Sequence, residues 1–157
     1  MIIPAKEECF FILKKNKTPS EVIKHCKTVC KVAEDIANKL IKKGFKINKE
    51  LVVAASLLHD IEREKDNHVI EGAKLLKNLG FCEISKVTRK HSLYKIENED
   101  VQPKTIEEKI VFYADKRVKD NKIVSLEERF EDIKKRYNLD LRSEFEFAKK
   151  IEKELLK

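Results

Sequence analysis

The feature that most constrains the fold of this chain is a helix-start signal that occurs four times. A Ser or Thr followed three residues later by Glu can satisfy two free backbone N–H groups at a helix N-terminus, an arrangement called a capping box. Such boxes begin at Thr18, Thr105, Ser125 and Ser143. The first also has Pro19 at a position that proline favours at helix starts. We therefore expect a helix to begin at each of these four places.

The composition also favours helices. The 157 residues include 41% hydrophobic and 40% charged residues but only 3 Gly, 3 Pro and no Trp, a balance typical of long helices with solvated faces. Gly44 and Gly80 follow helical patterns and suit the left-handed residue that ends a helix, and Asn48 suits the cap of the next one. No segment has a strand or hairpin pattern. The prediction is an all-α fold, a compact multi-helix bundle.

Apolar periodicity and the start signals together predict seven or eight helices. After a short N-terminal helix they cover about 19–43, 49–61, 68–79, 82–94, 106–119, 126–137 and 144–156. The length suits one domain over residues 1–157, with a core region of about 19–119 and C-terminal helices within 120–157 that pack on it. Those C-terminal helices carry a packing pattern without chemistry and could supply a dimer face. The polar stretch 95–104 is interpreted as an exposed connector.

Charge and cysteine content limit the partners and the compartment. The net charge of +7 favours anionic partners, but it is spread over many Lys/Glu-rich helix faces. Without interleaved aromatic residues or zinc-finger spacing, nucleic-acid binding is an alternative and not the favoured interpretation. The cysteines form no CxxC pair, and the apolar run near the N-terminus is too short for a signal core or a membrane span. We expect a soluble cytoplasmic protein with no membrane partner and reduced cysteines, namely Cys9, Cys26, Cys30 and Cys82.

A candidate site centres on His59-Asp60, which ends the apolar stretch 51–58. An imidazole and a carboxylate at a buried helix end must be paired or hold a metal, because an unpaired buried charge is costly. His25 falls within the apolar stripe of helix 19–43, and Asp115 falls on the inner face of helix 106–119. Both side chains are therefore expected to point into the core, towards the His-Asp pair.

His68 and His91 also align with the apolar faces of their predicted helices. A single inward histidine is usually a hydrogen-bonded core residue, but four histidines with two aspartates favour a metal site. Imidazole nitrogens and carboxylate oxygens are ligands for Fe, Mn, Zn and related divalent ions. A structural zinc site would more usually recruit thiolates, so this set favours a catalytic site with open positions.

These residues resemble the HD superfamily of metal-dependent phosphohydrolases, whose signature is an early His, an adjacent His-Asp pair and a later Asp. The segments 55–61 and 108–116 resemble the surroundings of the His-Asp pair and of the last Asp. The resemblance covers about 19–119 and implies one or two divalent ions, with Fe, Mn, Zn, Ni, Co and Mg all open. By resemblance the first ion would bind His25, His59, Asp60 and Asp115, and a second would recruit the extra histidines His68 and His91.

The resemblance also implies a reaction. The protein would hydrolyse a phosphate ester or anhydride of a small substrate, expected to be a nucleotide, through attack of metal-bound hydroxide. Asp60 would act catalytically by binding the metal and, with two metals, by bridging them. Glu62-Arg63 follows where many members carry Gly-Lys, so a phosphate contact or proton donation would fall to Arg63. Further cations that could offset phosphate charge are Lys116, Arg89 and Lys90.

Three alternatives stay open on the sequence. The chain could be a regulatory HD domain that senses a nucleotide without cleaving it, or a basic helical module for nucleic acid whose binding depends steeply on salt. It could also be a structural metalloprotein with a saturated ion. No Gly-Tyr-Pro signature follows His91, which argues against the HD branch that degrades cyclic dinucleotides.

Overall fold

The computed structural model describes residues 2–157, which form eight α-helices and one small antiparallel hairpin. The all-α prediction is confirmed. The helices are α1 Lys6–Lys15, α2 Ser20–Lys42, α3 Lys49–Leu58, α4 His68–Asn78, α5 Cys82–Arg89, α6 Ile106–Lys116, α7 Leu126–Tyr137 and α8 Arg142–Leu155. A short 3-10 helix covers Glu99–Val101, and the hairpin strands are β1 Val118–Lys119 and β2 Lys122–Ile123. Within residues 2–157, no helix has the length and apolar character needed to cross a membrane.

Two of the four predicted capping boxes contribute side-chain caps. Thr105 caps α6 in a complete box with Glu108, and the Ser125 hydroxyl accepts from the Glu128 N–H. The box predicted at Ser143 is wrong, because α8 begins one residue earlier, at Arg142, and Leu141 occupies the cap position. The sequence patterns therefore located the helices better than they assigned the capping side chains.

The capping box predicted at Thr18 is also wrong, because that hydroxyl has another partner. Thr18 donates to the Ile61 carbonyl at 3.2 Å, and Asn16 donates to the same carbonyl at 3.1 Å. Asn16 also donates to the Glu62 carboxylate at 2.7 Å. These bonds attach the end of α1 to the turn that carries His59-Asp60, so the residues before α2 support that turn.

The core is built around α3, in which every residue from Leu51 to Leu58 is buried. This helix packs against α1, α2, α5 and α6, while α4 packs on α5 and α8 packs on α6. Burying a leucine side chain contributes about 1.5–3 kcal/mol, so the packing holds α3 firmly. Because His59 and Asp60 directly follow the end of α3 at Leu58, the packing of α3 also fixes their position.

Three helices are shorter than the sequence pattern predicts, and the reason is the same each time. Helices α3, α5 and α6 end at Leu58, Arg89 and Lys116, each at least three residues before the end predicted from the sequence. In each case the chain turns away from the helix at that point and positions polar side chains. After α6 it forms the hairpin, so the expectation that no strand or hairpin is present was wrong. The turn Asp120-Asn121 joins the strands, with Lys119 paired to Lys122, and Asp and Asn are frequent in such tight turns.

Candidate metal centre

Four side chains from separate elements meet at the end of α3. His25 comes from α2, His59-Asp60 directly follows α3, and Asp115 comes from the last turn of α6. The Nε2 atoms of His25 and His59 lie 3.0 Å and 3.2 Å from Asp115 Oδ1. Both Nε2 atoms also lie 3.5 Å from Asp60 Oδ2. We call these four residues the inner group.

Asp60 also belongs to a second cluster. Its other oxygen, Oδ1, lies 3.4 Å from His91 Nε2 and 3.8 Å from His68 Nε2. We call Asp60, His68 and His91 the outer group. Within each group the possible ligand atoms lie within 4.8 Å of one another. The structure therefore brings all six predicted metal ligands together and divides them into two sets that share Asp60.

Backbone carbonyls orient three of the four histidine rings. The Nδ1 atom of His59 lies 2.7 Å from the Ser56 carbonyl, and that of His91 lies 2.6 Å from the Thr88 carbonyl. Both carbonyls belong to the last turn of a helix, where they lack an intrahelical partner. A carbonyl can only accept, so Nδ1 carries a hydrogen in both rings and Nε2 is the nitrogen that faces the carboxylates and a cation. This support is characteristic of metal-binding histidines.

The third ring is oriented by the hairpin, which the sequence analysis missed. His25 Nδ1 lies 2.6 Å from the carbonyl of Asp120, whose φ of +56° is in the left-handed region. Across the turn, Asp120 also pairs with Arg136 of α7 at 3.6 Å. The hairpin therefore serves to hold one candidate ligand in place.

The inner group is strongly coupled electrostatically. Burial favours the neutral form of His59, but the charge of Asp60 and the hydrogen bond to Asp115 outweigh it and raise the pKa of His59 well above its usual value. Burial likewise opposes ionisation of Asp115, but the Lys116 ammonium and the two histidines hold the pKa of this carboxyl well below its usual range. Burial also raises the pKa of Asp60, but the nearby His59 and His91 lower it by more, so the pKa of Asp60 is lowered overall. Both carboxylates are thus ionised and suited to a cation.

Lys116 connects the two groups. Its side chain is buried, and its ammonium donates to Asp115 Oδ2 at 2.6 Å and to the His91 carbonyl at 2.7 Å. Burial lowers the pKa of Lys116, although the Asp115 carboxylate opposes that effect. Lys116 also lines the cavity described below. Its contact with phosphate stays a prediction.

His68 differs from the other histidines. Its side chain is 27% exposed, it begins α4, and its Nε2 lies 3.0 Å from Arg63 Nη1. A guanidinium can only donate, so Nε2 of His68 accepts this hydrogen bond. Burial lowers the pKa of His68 to about 4, which keeps the ring neutral and able to act as a ligand.

Five of the six candidate ligands line a cavity of about 750 Å³, and the sixth, His59, is fully buried behind it. Arg63 and Lys116 line it, whereas Arg89 and Lys90 are absent from its walls. Arg89 is exposed, and Lys90 donates to the Asp100 carbonyl instead. The sequence of the C-terminal region indicated packing alone, but residues from the hairpin, α7 and the start of α8 form much of the wall. They include Lys119, Arg129, Asp132, Arg136, Tyr137, Leu139 and Glu144.

The donor set fits a divalent metal ion. Each group combines imidazole nitrogens with carboxylate oxygens, the ligands preferred by Fe, Mn and Zn. The inner group has two carboxylates and two histidines whose other ring nitrogens are already bonded. No cysteine thiol belongs to either group, but Cys26 Sγ contacts the inner group at 4.0 Å from His59 Nδ1. The arrangement is a His/Asp cluster at the floor of a cavity that is able to hold a divalent ion.

Comparison with known proteins agrees with this geometry. The sequence profile of the family described as "HD domain" matches residues 22–119, and the chain belongs to that family. The match begins in α2 before His25 and ends in the hairpin after Asp115, so it spans all six candidate ligands. The resemblance noted in the sequence is thereby confirmed, and the superfamily it indicates is that of metal-dependent hydrolases.

Three relatives extend the comparison. A tRNA (cytidine(56)-2'-O)-methyltransferase of Picrophilus torridus is 35% identical over 140 residues, which is 80% of this chain and 40% of that protein. An uncharacterized protein of Methanocaldococcus jannaschii is 33% identical over 83% of this chain and 85% of its own length. A methyltransferase of the same name from Thermoplasma volcanium is 31% identical over 86% of this chain. The chain spans about two fifths of the two methyltransferases (40% and 43%), and no solved structure matches it.

Proposed function

We propose that this protein is a metal-dependent phosphohydrolase that cleaves a phosphate ester or anhydride of a nucleotide. The observation that carries the proposal is that the two carboxylate oxygens of Asp60 face two different pairs of histidines. Oδ2 faces His25 and His59, and Oδ1 faces His68 and His91, at the floor of one open cavity. A saturated structural ion would not need a second ligand set or access to a cavity. This arrangement favours turnover over a purely structural role.

The residues around the ligands have distinct parts in this proposal. A bound divalent ion supplies a water of lowered pKa and offsets phosphate charge. Lys116 keeps Asp115 ionised through their 2.6 Å contact. Arg63, at the mouth of the outer group, is placed to balance the negative charge that develops on phosphate oxygens. Asp60 joins both ligand groups and is therefore the residue whose loss should matter most.

The dimensions of the cavity favour a substrate larger than inorganic phosphate. Its volume of about 750 Å³ is in the range of pockets that enclose small organic ligands. The wall combines cations, such as Arg129 and Arg136, with apolar and aromatic side chains, such as Leu139 and Tyr137. A nucleotide has both a charged and an aromatic part and matches this combination.

The test is metal content by elemental analysis together with phosphate release from a panel of nucleotides and simple phosphoesters. The wild type is compared with Asp60→Ala and with Asp66→Ala, which removes an exposed carboxylate from the same turn. We expect one or two metal equivalents and phosphate release in the wild type and in Asp66→Ala, and loss of both in Asp60→Ala. Bound metal without release from any compound would overturn the proposal in favour of a sensor or structural metalloprotein.

The methyltransferase relatives favour a second candidate, in which the domain binds RNA. Their names refer to tRNA, and the present chain carries a net charge of +7. Binding through phosphates predicts an affinity that falls steeply with salt and is unaffected by Asp60→Ala. Titration of a tRNA at several salt concentrations with both proteins therefore separates this candidate from hydrolysis at the metal centre.

A further inference from the structure

With the nucleotide hydrolysis proposed above as its basis, we further propose that the α7–α8 end of the cavity binds the base of the substrate, with Glu144 selecting guanine. The metal ligands that face the cavity come from α2, the turn after α3, the segment after α5, and α6, whereas this end is built by α7, α8 and the loop between them. A nucleotide with its phosphate at the ligands would extend its nucleoside along the cavity.

The side chains at this end suit a flat aromatic ring. Tyr137 is 58% exposed and Leu139 is 49% exposed, although both are large and partly apolar. Ile133 of α7 and Leu141 of the loop between α7 and α8 also line the cavity. Stacking a base on an aromatic ring is favourable for every base, because each has two π faces. This apolar wall therefore accounts for binding of a base but not for a choice among bases.

Glu144 supplies a means of choice. It lies in the first turn of α8 and lines the cavity, and its Oε2 atom is buried without a hydrogen-bond partner anywhere in residues 2–157. Leaving a buried acceptor unsatisfied is costly, and a carboxylate can accept but cannot donate. A ligand that presents N–H groups to this oxygen would remove that cost.

Guanine matches an accepting carboxylate better than the other bases. Its N1–H and exocyclic amino group are adjacent donors, which two carboxylate oxygens can accept together. Adenine and cytosine each place an acceptor nitrogen beside their amino group, and uracil flanks its single N–H with two carbonyls. In these three cases a carboxylate would face a repelling lone pair, so we expect guanine to bind more tightly than the other bases.

The first experiment measures binding of guanosine and adenosine by calorimetry. Neither compound has a phosphate, so the readout does not depend on metal loading or turnover. The variants are Glu144→Gln and, as the matched control, Glu146→Gln, which changes an exposed glutamate of the same helix. We expect guanosine to bind about tenfold or more tightly than adenosine in the wild type and in the control, and Glu144→Gln to lose that preference.

The second experiment compares kcat/KM for GMP, AMP, CMP and UMP in the same three proteins. A preference for GMP that disappears only in Glu144→Gln would support the base site. Equal hydrolysis of all four nucleotides, with equal nucleoside binding, would overturn the base site while the phosphohydrolase proposal stands. Selective guanosine binding without hydrolysis of any nucleotide would support the base site and contradict the phosphohydrolase proposal. Equal loss of guanosine and adenosine binding in Glu144→Gln would assign Glu144 to the ribose and contradict guanine selection.

Discussion

The inner and outer ligand groups share Asp60 but differ in how firmly their histidines are held. In the inner group, His59 is fully buried, His25 is only 13% exposed, and each has a carbonyl at its Nδ1. In the outer group, His91 is held in the same way by Thr88, but His68 is 27% exposed and meets Arg63 at its ligand atom. One group is preorganised and the other is only partly so.

This difference indicates that the two positions would not bind metal equally. A ligand that is already fixed by hydrogen bonds loses little freedom when it binds an ion, and outer contacts of this kind change metal affinity by about 10–100-fold. The inner group also has a second carboxylate, Asp115, whereas the outer group has Asp60 alone. We therefore expect tight binding at the inner group and weaker, exchangeable binding at the outer group, nearer to the cation Arg63.

The largest expected effect separates the two groups directly. His59→Ala removes a buried inner ligand and should lower metal affinity more than about 100-fold, with loss of nearly all bound metal. His68→Ala removes a partly exposed outer ligand and should leave one metal equivalent in place. Elemental analysis after dialysis measures both, with circular dichroism to verify that the helices persist. Equal metal loss in the two variants would show that the groups bind as one unit.

The next effect concerns the hairpin that orients His25. Asp120 has a φ of +56°, and a branched residue in this region is strained by about 1–2 kcal/mol, so Asp120→Val should distort the turn and move its carbonyl. We expect inner-group metal affinity to fall by about 10–100-fold. Asp120→Gly is the matched control, because glycine keeps the backbone conformation and loses only the exposed pair with Arg136. If glycine and valine have the same effect, the carbonyl does not position His25.

The hairpin also marks the limit of what the sequence revealed about the site. The ligands were predictable because His25 and Asp115 are polar residues on strongly apolar helical faces and Asp60 follows a strongly apolar stretch, and both patterns are local. The carbonyl of Asp120 was not predictable, since every residue has a carbonyl and only the tertiary fold brings this one to His25. His91 was assigned to a helix that in fact ends at Arg89, so its inward direction depends on the bond to Thr88 and not on helical periodicity.

The contribution of the C-terminal helices was hidden for a similar reason. Phe130 and Phe145 pack edge to face at 5.3 Å, which is the packing role that their spacing indicates. The cavity side of the same region carries Arg129, Asp132 and Arg136, and in the sequence these are ordinary charges on a solvated helix. Which charged face a helix turns towards a site depends on long-range packing, and no local pattern encodes it.

The pH dependence of metal binding should also differ between the groups. The pKa of His59 is raised by Asp60 and Asp115 despite its burial, so metal must displace a proton there, and inner-group affinity should rise about tenfold per pH unit. This rise ends at the folded-state pKa of His59, where the proton is already lost. Burial lowers the pKa of His68 to about 4, so protonation of His68 should add no pH dependence over the same range.

A chelator competition titration from about pH 6 to about pH 9 measures this dependence. His68→Ala serves as the control that reports the inner group alone. The stability of the metal-free protein should follow the opposite course. The protonated His59 pairs with the two carboxylates, so its contribution is full below the unfolded-state pKa and is lost as the pH rises through the folded-state pKa. An inner-group affinity that is independent of pH would mean that His59 is already neutral in the metal-free protein.

The smallest expected effect concerns Arg63, which donates to the ligand atom of His68 at 3.0 Å. Removing this cation in Arg63→Ala should strengthen outer-group metal binding by about two- to fivefold, because an exposed charge contributes about 0.2–1 kcal/mol. Arg63→Lys keeps a charge but loses the planar fork, so its metal affinity should stay near the wild-type value. If Arg63 also contacts phosphate, Arg63→Ala should raise KM for a nucleotide while metal binding improves. Stronger metal binding together with weaker substrate binding is not expected of a residue that only supports the fold. Weaker metal binding in Arg63→Ala would instead show that Arg63 holds His68 in place as a ligand.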